Sequence, residues 1–378
     1  MQVVQRIRLS VMMILAVGLA SCAGVPGSAV LHPVGGPVGV GKPVDVLVAT
    51  TRMRSEADGR EFTTERNRGV SYAAYTVSIP PDHVAGEIEW PTALPGNPAT
   101  HFVVTGSQSL DKAGFSRTAM RDMKGSGEVI VFVHGYNTSY QEAVFRAAQL
   151  KHDNGLPEAV IAFAWPSKAS LVDYLTDREA STFSRDYLEK TLDDLARTPG
   201  VRHINIIAHS MGGWLTMETL RQAKLRGNST FLPKLGEVLL ASPDIDLYVF
   251  GTQLDVIGKR NPPIMVAISE DDQALGLSQW LAGDVPRVGN VSTADNKAEW
   301  QREIAHYGLQ VINMSDAKSQ DAVNHGKFVG LIPALYQMVR AEARGRGSLL
   351  SRTGLFTAGP AGTVLQMPLK VGEAIARR

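Results

Sequence analysis

A series of short apolar runs, separated by segments long enough for helices, occupies the middle of the chain. Strands buried on both faces of a parallel sheet are apolar along their whole length, and the crossovers between them are usually helices. The alternation therefore predicts an α/β fold with a doubly wound, mostly parallel sheet. No second series is present, so we predict one catalytic domain over residues 44–340. The runs lie at 129–133, 159–164, 204–208, 238–241, 264–268 and 309–313.

The segments on either side of this series differ in composition. Residues 24–43 contain six Gly and four Pro, which disfavour regular elements, and we predict a tether over 22–43. The β-branched and aromatic runs at 44–50 and 72–79 would open the sheet. After residue 340 the chain becomes rich in Gly and Arg, and we predict a flexible C-terminal tail over 341–378.

The amino terminus has the order of a secretory signal peptide. Arg6 and Arg8 precede an apolar run over 9–20, and small residues follow it. The run is too short for a transmembrane helix, which needs about 20 apolar residues. We therefore predict a signal peptide over 1–21 that is cleaved on export.

The residues at the end of this segment, Leu19-Ala20-Ser21-Cys22, resemble the lipobox of bacterial lipoproteins. In those proteins a diacylglycerol is attached to the cysteine, which becomes the first residue after cleavage. The resemblance implies a lipid anchor at Cys22 in the cell envelope. Ala23, where retention at the inner membrane would call for Asp, implies the outer membrane, facing the periplasm or the surface. The alternative is a soluble periplasmic protein cleaved nearby.

The composition argues against several other classes. The chain of 378 residues carries 38 Lys and Arg against 37 Asp and Glu, a formal charge of +1, so no nucleic-acid partner is predicted. Its single cysteine cannot form an internal disulfide or a zinc site of several cysteines. The dinucleotide-binding glycine motif, the P-loop and the His-Glu-x-x-His motif are absent from the sequence, so neither a nucleotide cofactor nor a metal is predicted. Nothing in the sequence indicates an oligomeric state.

One apolar run leads directly into a serine. The run at 204–208 is followed by His209, Ser210, Met211 and Gly212, and then by residues that favour a helix. A serine on a tight strand-to-helix turn projects its hydroxyl from the carboxyl edge of the sheet. The helix amino terminus then faces incoming negative charge. We therefore predict that Ser210 is a nucleophile.

A serine nucleophile needs a general base and an acid that orients the base. In this fold class the three residues follow the order serine, acid, histidine along the chain. Only His306 and His325 come after Ser210. His325 is favoured because it lies in a polar, glycine-bearing loop beyond the last apolar run, whereas His306 precedes that run.

The acid has more than one candidate. Asp272 follows the run at 264–268, and Asp244 follows the run at 238–241, so both lie at the predicted carboxyl edge. We favour Asp272 over Asp244 and over the neighbouring Asp271. The structural alternatives are a helix cap for Asp271 or Asp272, and a turn or a brace beneath the active site for Asp244.

A tetrahedral intermediate needs two preorganised hydrogen-bond donors for its oxyanion. The backbone amide of Met211, directly after the nucleophile, is one candidate. The loop after the run at 129–133 offers the second, the amide of Tyr136, because Gly135 before it lets the backbone approach the site. We predict that His134 only orders this loop.

Several of these segments together resemble a bacterial α/β-hydrolase family catalogued as a domain of unknown function, whose members are described as esterases or lipases. The resemblance covers about residues 44–335 and implies an often exported Ser-Asp-His hydrolase without a settled substrate. Alanine at position 208, where the general nucleophile motif has glycine, also fits this family. The segments are 48–52 (VATTR), 131–137 (VFVHGYN), 163–167 (FAWPS), 208–212 (AHSMG), 241–246 (ASPDID) and 269–275 (SEDDQAL).

The expected activity is cleavage of carboxylic esters through an acyl-enzyme. No long insertion interrupts 165–210 or 241–264, where cap domains usually enter, so the site should be open. An open site favours esters of short to medium acyl chains, or an ester on a bulky envelope component. The alternatives are an amidase or acyltransferase with the same triad, or a lipoprotein that binds an envelope partner without turnover.

Overall fold

The computed structural model describes residues 26–35, 39–56, 61–227, 229–291, 294–317, 319, 321, 323–328, 357–358 and 364–366. In the described residues one mixed sheet has eleven strands in the order β10-β11-β9-β8-β7-β6-β4-β5-β1-β2-β3. The strands are β1 Lys42–Arg54, β2 Phe62–Ile79, β3 Val103–Leu110, β4 Glu128–Val133, β5 Ala159–Ala164, β6 His203–His209, β7 Leu235–Ala241, β8 Ile264–Ile268, β9 Gln310–Asn313, β10 Thr357–Ala358 and β11 Val364–Gln366.

The strands at the centre of the sheet are parallel. Strands β4 to β9 pair in parallel with their neighbours, and β1 joins them through a parallel pairing with β5. Strands β2 and β3 extend the sheet in antiparallel register. The predicted α/β fold with a mostly parallel sheet is therefore confirmed. Because the central strands run in one direction, the loops that follow them meet at a single carboxyl edge.

Helices cover both faces of this sheet. In β4, Val131 packs into a core with α1, α3, α4, α5 and α7, whereas Phe132 packs into a second core with α2. This alternation explains why the central strands are apolar throughout. None of the helices described combines the length and apolar character needed to cross a membrane. The helices are α1 Lys112–Asp122, α2 Tyr140–Asp153, α3 Tyr174–Ala196, α4 Met211–Arg226, α5 Leu247–Ile257, α6 Gln273–Leu281 and α7 Ala294–Tyr307.

The segments flanking the predicted domain are partly built into it. Within the segment predicted as a tether, Val30 and Leu31 are buried, and the Gln141 side chain donates a hydrogen bond of 2.8 Å to the carbonyl of Pro26. Within the segment predicted as a tail, β11 pairs in parallel with β9. These contacts differ from the expectation of a free tether and a wholly flexible tail. The predicted signal peptide and Cys22 lie outside the described residues.

Candidate active site

Ser210 occupies the turn between β6 and α4, at the carboxyl edge of the sheet. Its backbone has φ 53° and ψ −122°, a strained conformation for a residue with a side chain. The Ser210 amide donates to the carbonyl of Ala241 over 2.9 Å, and its own carbonyl accepts from the Gly213 amide over 2.9 Å. The end of β7 and the first turn of α4 therefore hold the serine in this conformation.

The loop after β4 lies directly against this turn. A Cβ atom added to Gly135 would lie 2.9 Å from the Cβ of Ser210 and 2.8 Å from Nδ1 of His209. Only a glycine allows so close an approach. Met211 begins α4, so its amide has no carbonyl partner within the helix. The structure thus brings the two predicted oxyanion segments, Gly135–Tyr136 and Met211, together around Ser210.

His325 and Asp272 are hydrogen-bonded to each other, with 2.7 Å between Nδ1 of the ring and Oδ2 of the carboxylate. The other oxygen, Oδ1, accepts from the Leu275 amide over 3.0 Å and caps α6. The two roles considered for Asp272, partner of the histidine and helix cap, are therefore both present in one side chain. The His325 ring lies beside the nucleophile turn, 4.7 Å between ring centroids from His209.

The charge of Asp272 sets the protonation of His325. Burial alone would lower the pKa of His325, because an imidazolium loses its hydration. The negative charge of Asp272 and the hydrogen bond it accepts outweigh burial, so the pKa of His325 is raised above its ordinary value of 6.5. Asp272 itself is buried, and a protonated His325 would be the positive charge that pairs with it.

Two of the candidates that were not favoured, Asp271 and His306, lie apart from this pair. Asp271 binds the buried ammonium of Lys327 over 2.6 Å and accepts from Ser269 over 2.6 Å. Burial acts to raise the pKa of Asp271, but these partners bring it below its ordinary value. His306 is exposed on α7, where its ring contacts Tyr307. Neither residue is paired with His325 or Ser210.

Asp244 is buried beneath the nucleophile and has partners of its own. Its amide donates to the carbonyl of Ser210 over 3.2 Å. Its carboxylate accepts from the hydroxyls of Tyr174 at 2.7 Å and Ser278 at 2.6 Å. The guanidinium of Arg287, also buried, lies 3.3 Å from the same carboxylate. This geometry matches the brace that was the structural alternative for Asp244.

Comparison with known sequences identifies the family of this chain. A family described as an alpha/beta hydrolase of unknown function (DUF900) matches residues 112–342. The chain belongs to this family of α/β-hydrolases. Among proteins with curated descriptions, none has a significantly similar sequence.

Solved structures of other hydrolases resemble this hydrolase only distantly. An esterase of Pyrobaculum calidifontis is 14% identical, over 82% of this chain and 86% of its own, with a TM-score of 0.36. A lipase-esterase related protein of Clostridium acetobutylicum is 10% identical, over 57% of this chain and 93% of its own, with a TM-score of 0.31. An esterase of Rhizomucor miehei is 11% identical, over 83% of this chain and 86% of its own, with a TM-score of 0.31.

A second buried network supports the loop after β4 in this hydrolase. The carboxylate of Asp177 in α3 accepts from the hydroxyl of Ser167 at 2.6 Å and from the amide of Asn137 at 3.3 Å. Arg52, buried at the end of β1, donates to the carbonyl of Thr138 over 3.0 Å. Burial raises the pKa of Asp177 and lowers that of Arg52 to about 10.

The sequence analysis assigned no role to these residues. Arg52 and Ser167 stand in the VATTR and FAWPS segments of the family resemblance, and a charged residue that ends an apolar strand is a usable signal. Asp177 lies within a helix of ordinary polarity, and its neighbours in sequence give no sign that it is buried. Only its contact with the loop after β4 identifies it.

Two further buried histidines at the site, His134 and His209, have lowered pKa values. Burial, with the charge of Arg52, lowers the pKa of His134 to about 3, and the ring stacks on Trp165 with 4.8 Å between centroids. Burial and the neighbouring His325 lower the pKa of His209 far below its ordinary value. Within the described part of the chain, no three His, Cys, Asp or Glu side chains are grouped so as to hold a metal ion.

Gly212 provides a test of how closely α4 must approach the loop. A Cβ atom at this position would lie 2.5 Å from the carbonyl oxygen of His134 and would also collide with that of Val133. We expect Gly212→Ala to lower the free energy of unfolding in urea by about 1 to 3 kcal/mol, as overpacking does. The control is Gly276→Ala in α6, which meets open space and should stabilise the helix by up to about 1 kcal/mol. Equal effects of the two substitutions would contradict the predicted clash.

Proposed function

We propose that this protein is a serine hydrolase that cleaves carboxylic esters, with Ser210 as nucleophile, His325 as general base and Asp272 as the acid that orients it. The observation that carries the proposal is the 2.7 Å hydrogen bond between His325 and Asp272, next to a serine held in a strained turn at the same edge. A buried carboxylate on Nδ1 keeps the Nε2 of the ring available to a serine hydroxyl.

The mechanism follows from these roles. Nε2 of neutral His325 accepts the proton of the Ser210 hydroxyl as Oγ attacks the ester carbonyl carbon. The carbonyl oxygen becomes an oxyanion, which the amides of Met211 and Tyr136 stabilise by about 3 kcal/mol each. When the intermediate collapses, the bond between the carbonyl carbon and the alcohol oxygen breaks, and the imidazolium gives its proton to the departing alcohol. The acyl group stays on Ser210. Water then attacks the acyl group in the same way, releases the acid and restores the serine.

Asp272 is preferred to Asp244 as the acid of the triad. The carboxylate of Asp244 is engaged by two hydroxyls and by Arg287. These partners compensate the negative charge of the carboxylate, so we assign Asp244 the role of holding the turn that carries Ser210. Breaking such a buried pair costs about 3 to 5 kcal/mol of stability. The charge of Asp244 also raises the pKa of His325, but by less than the charge and hydrogen bond of Asp272 do.

The substrate proposal follows from the short connections around the site. No large cap domain is expected over Ser210, which favours esters of short to medium acyl chains or an ester carried by a bulky envelope component. An amidase or an acyltransferase would form the same acyl-enzyme and differ in the leaving group or in the acceptor that clears it. A protein that binds an envelope partner without turnover would leave the acyl-enzyme unformed.

Labelling by a fluorophosphonate probe tests the nucleophile. The folded wild-type protein should react and Ser210→Ala should not, because the probe phosphonylates an activated serine. If the folded wild type is not labelled, the protein is not a serine hydrolase.

A comparison of acyl chains tests the open site. The wild type should hydrolyse p-nitrophenyl butyrate faster than p-nitrophenyl palmitate. A strong preference for the palmitate ester would overturn the open-site proposal.

The pH dependence of kcat/KM tests the base and the acid. The base must be neutral, and its pKa is raised above 6.5, so the activity of the wild type should rise with pH through a midpoint above 6.5. Asp272→Asn removes the charge that raises this pKa, so the midpoint should move to lower pH while kcat falls about 10⁴-fold. Asp244→Asn should reduce stability and should lower the midpoint by less than Asp272→Asn does, because the charge of Asp244 contributes less to the raised pKa of His325. If Asp244→Asn lowered the midpoint and kcat more than Asp272→Asn did, Asp244 would be the acid.

We further propose that the mature protein is anchored at the outer membrane through a lipid on Cys22, as the lipobox-like residues indicate. Metabolic labelling with palmitate should label the wild type and leave Cys22→Ala unlabelled. The unlabelled variant should also move from the membrane fraction to the soluble fraction of the cell envelope. A wild type that is unlabelled and soluble after export would instead be the periplasmic protein considered as the alternative.

A further inference from the structure

Large apolar side chains are exposed on and next to α3 and α6, the two helices whose Tyr174 and Ser278 bind Asp244 beneath the nucleophile. Isolated exposed apolar residues are ordinary, whereas a contiguous group marks a surface that binds something. The relative exposure is 81% for Val172, 75% for Leu175 and 57% for Trp280. We call the group the apolar rim. It comprises Leu171, Val172, Leu175, Leu277, Trp280 and Leu281.

The apolar rim has one part at residues 171–175 and another on α6, and the two parts are connected next to the nucleophile. Tyr174, at the start of α3, donates to Asp244 and shares a hydrogen bond of 2.8 Å with Ser278 in the middle of α6. The amide of Asp244 donates to the carbonyl of Ser210. Helix α6 itself begins directly after Asp272. The rim therefore lies on and beside the two helices that meet at the edge of the sheet where Ser210 is placed.

The chemistry of the rim matches an uncharged apolar partner. Helix α6 has the sequence QALGLSQWL and contains no charged residue. Its buried face carries Leu275 and Ser278, whereas Leu277, Trp280 and Leu281 point outwards. Surface helices usually carry charged residues on the outer face. Tryptophan with leucine is the combination found where proteins meet the interface of a lipid bilayer.

The path of the chain before β1 leads to the same edge. Gln141, at the start of α2, donates to the carbonyl of Pro26, and α2 begins after β4, at the carboxyl edge. Pro26 is four residues after Cys22, a stretch that spans at most about 14 Å when extended. The lipid proposed on Cys22 would therefore be tied within this reach of Pro26, which lies at the carboxyl edge of the sheet.

We propose that the apolar rim docks on the surface of a neutral lipid bilayer and turns the edge of the sheet that carries Ser210 towards it. The substrate would then be an amphiphilic ester held in that surface, which enters the site without passing through bulk water. The choice of an ester depends on the proposed function. Docking of the rim does not depend on it and is tested separately.

Quenching of tryptophan fluorescence tests the docking. The full-length protein is reconstituted with phosphatidylcholine vesicles whose acyl chains are brominated near the headgroup, because bromine quenches only indole rings that reach the lipid. We expect quenching in the wild type and in the inactive Ser210→Ala, and loss of most of it in Trp280→Phe. Emission that is unaffected by brominated lipid, or quenching that survives in Trp280→Phe, overturns the proposal whether or not the protein cleaves esters.

A ratio of rates links the docking to the substrate. The measured quantity is the rate on a vesicle-borne ester divided by the rate on a dissolved short-chain ester. Leu175→Ser should lower this ratio about tenfold, since burial of one leucine is worth at least this factor. The matched control is Leu225→Ser, 60% exposed at the carboxyl end of α4 and away from the edge that carries Ser210, which should keep the wild-type ratio. An equal fall in both variants, or in neither, would contradict the role of the rim.

Discussion

The close approach of three backbone segments around Ser210 is the constraint on which the rest of the site depends. The start of α4 packs against the carbonyls at the end of β4 because Gly212 has no side chain, and the loop after β4 reaches the serine because Gly135 has none. The strained φ of Ser210 is maintained by hydrogen bonds from both sides of the turn. Without these contacts the loop after β4 and the start of α4 would not meet at Ser210.

Three buried carboxylates at this edge differ in what they hold. Asp272 joins α6 to His325, Asp244 joins α3 and α6 to the turn of Ser210, and Asp177 supports the loop after β4. A buried carboxylate is tolerated only where donors or positive charges compensate for its lost hydration. Its partners therefore decide its role. Of the three, Asp272 is the one paired with a histidine.

The sequence predicted the parts of this site that lie on local patterns. The apolar run before Ser210 and the helix after it predicted the turn, and the polar loop around His325 predicted the base position beyond the last central strand. The choice between Asp244 and Asp272 could not be made in the same way, because both follow apolar runs and both reach the carboxyl edge. Asp177 gave no local signal of a role, since it lies within a helix of ordinary polarity. Arg52, a charged residue at the end of an apolar strand, gave a signal, but its partner Thr138 is distant in the chain.

The sequence by itself determined the alternation of apolar runs and helices, and hence the parallel sheet, because burial on both faces requires apolar strands. It also determined which serine follows a strand in a tight turn. The tertiary structure decided which carboxylate meets His325, and that residues 26–35 pack on the domain. It also joined α3 to α6 through the hydrogen bond between Tyr174 and Ser278. These contacts connect segments that sequence spacing leaves unrelated.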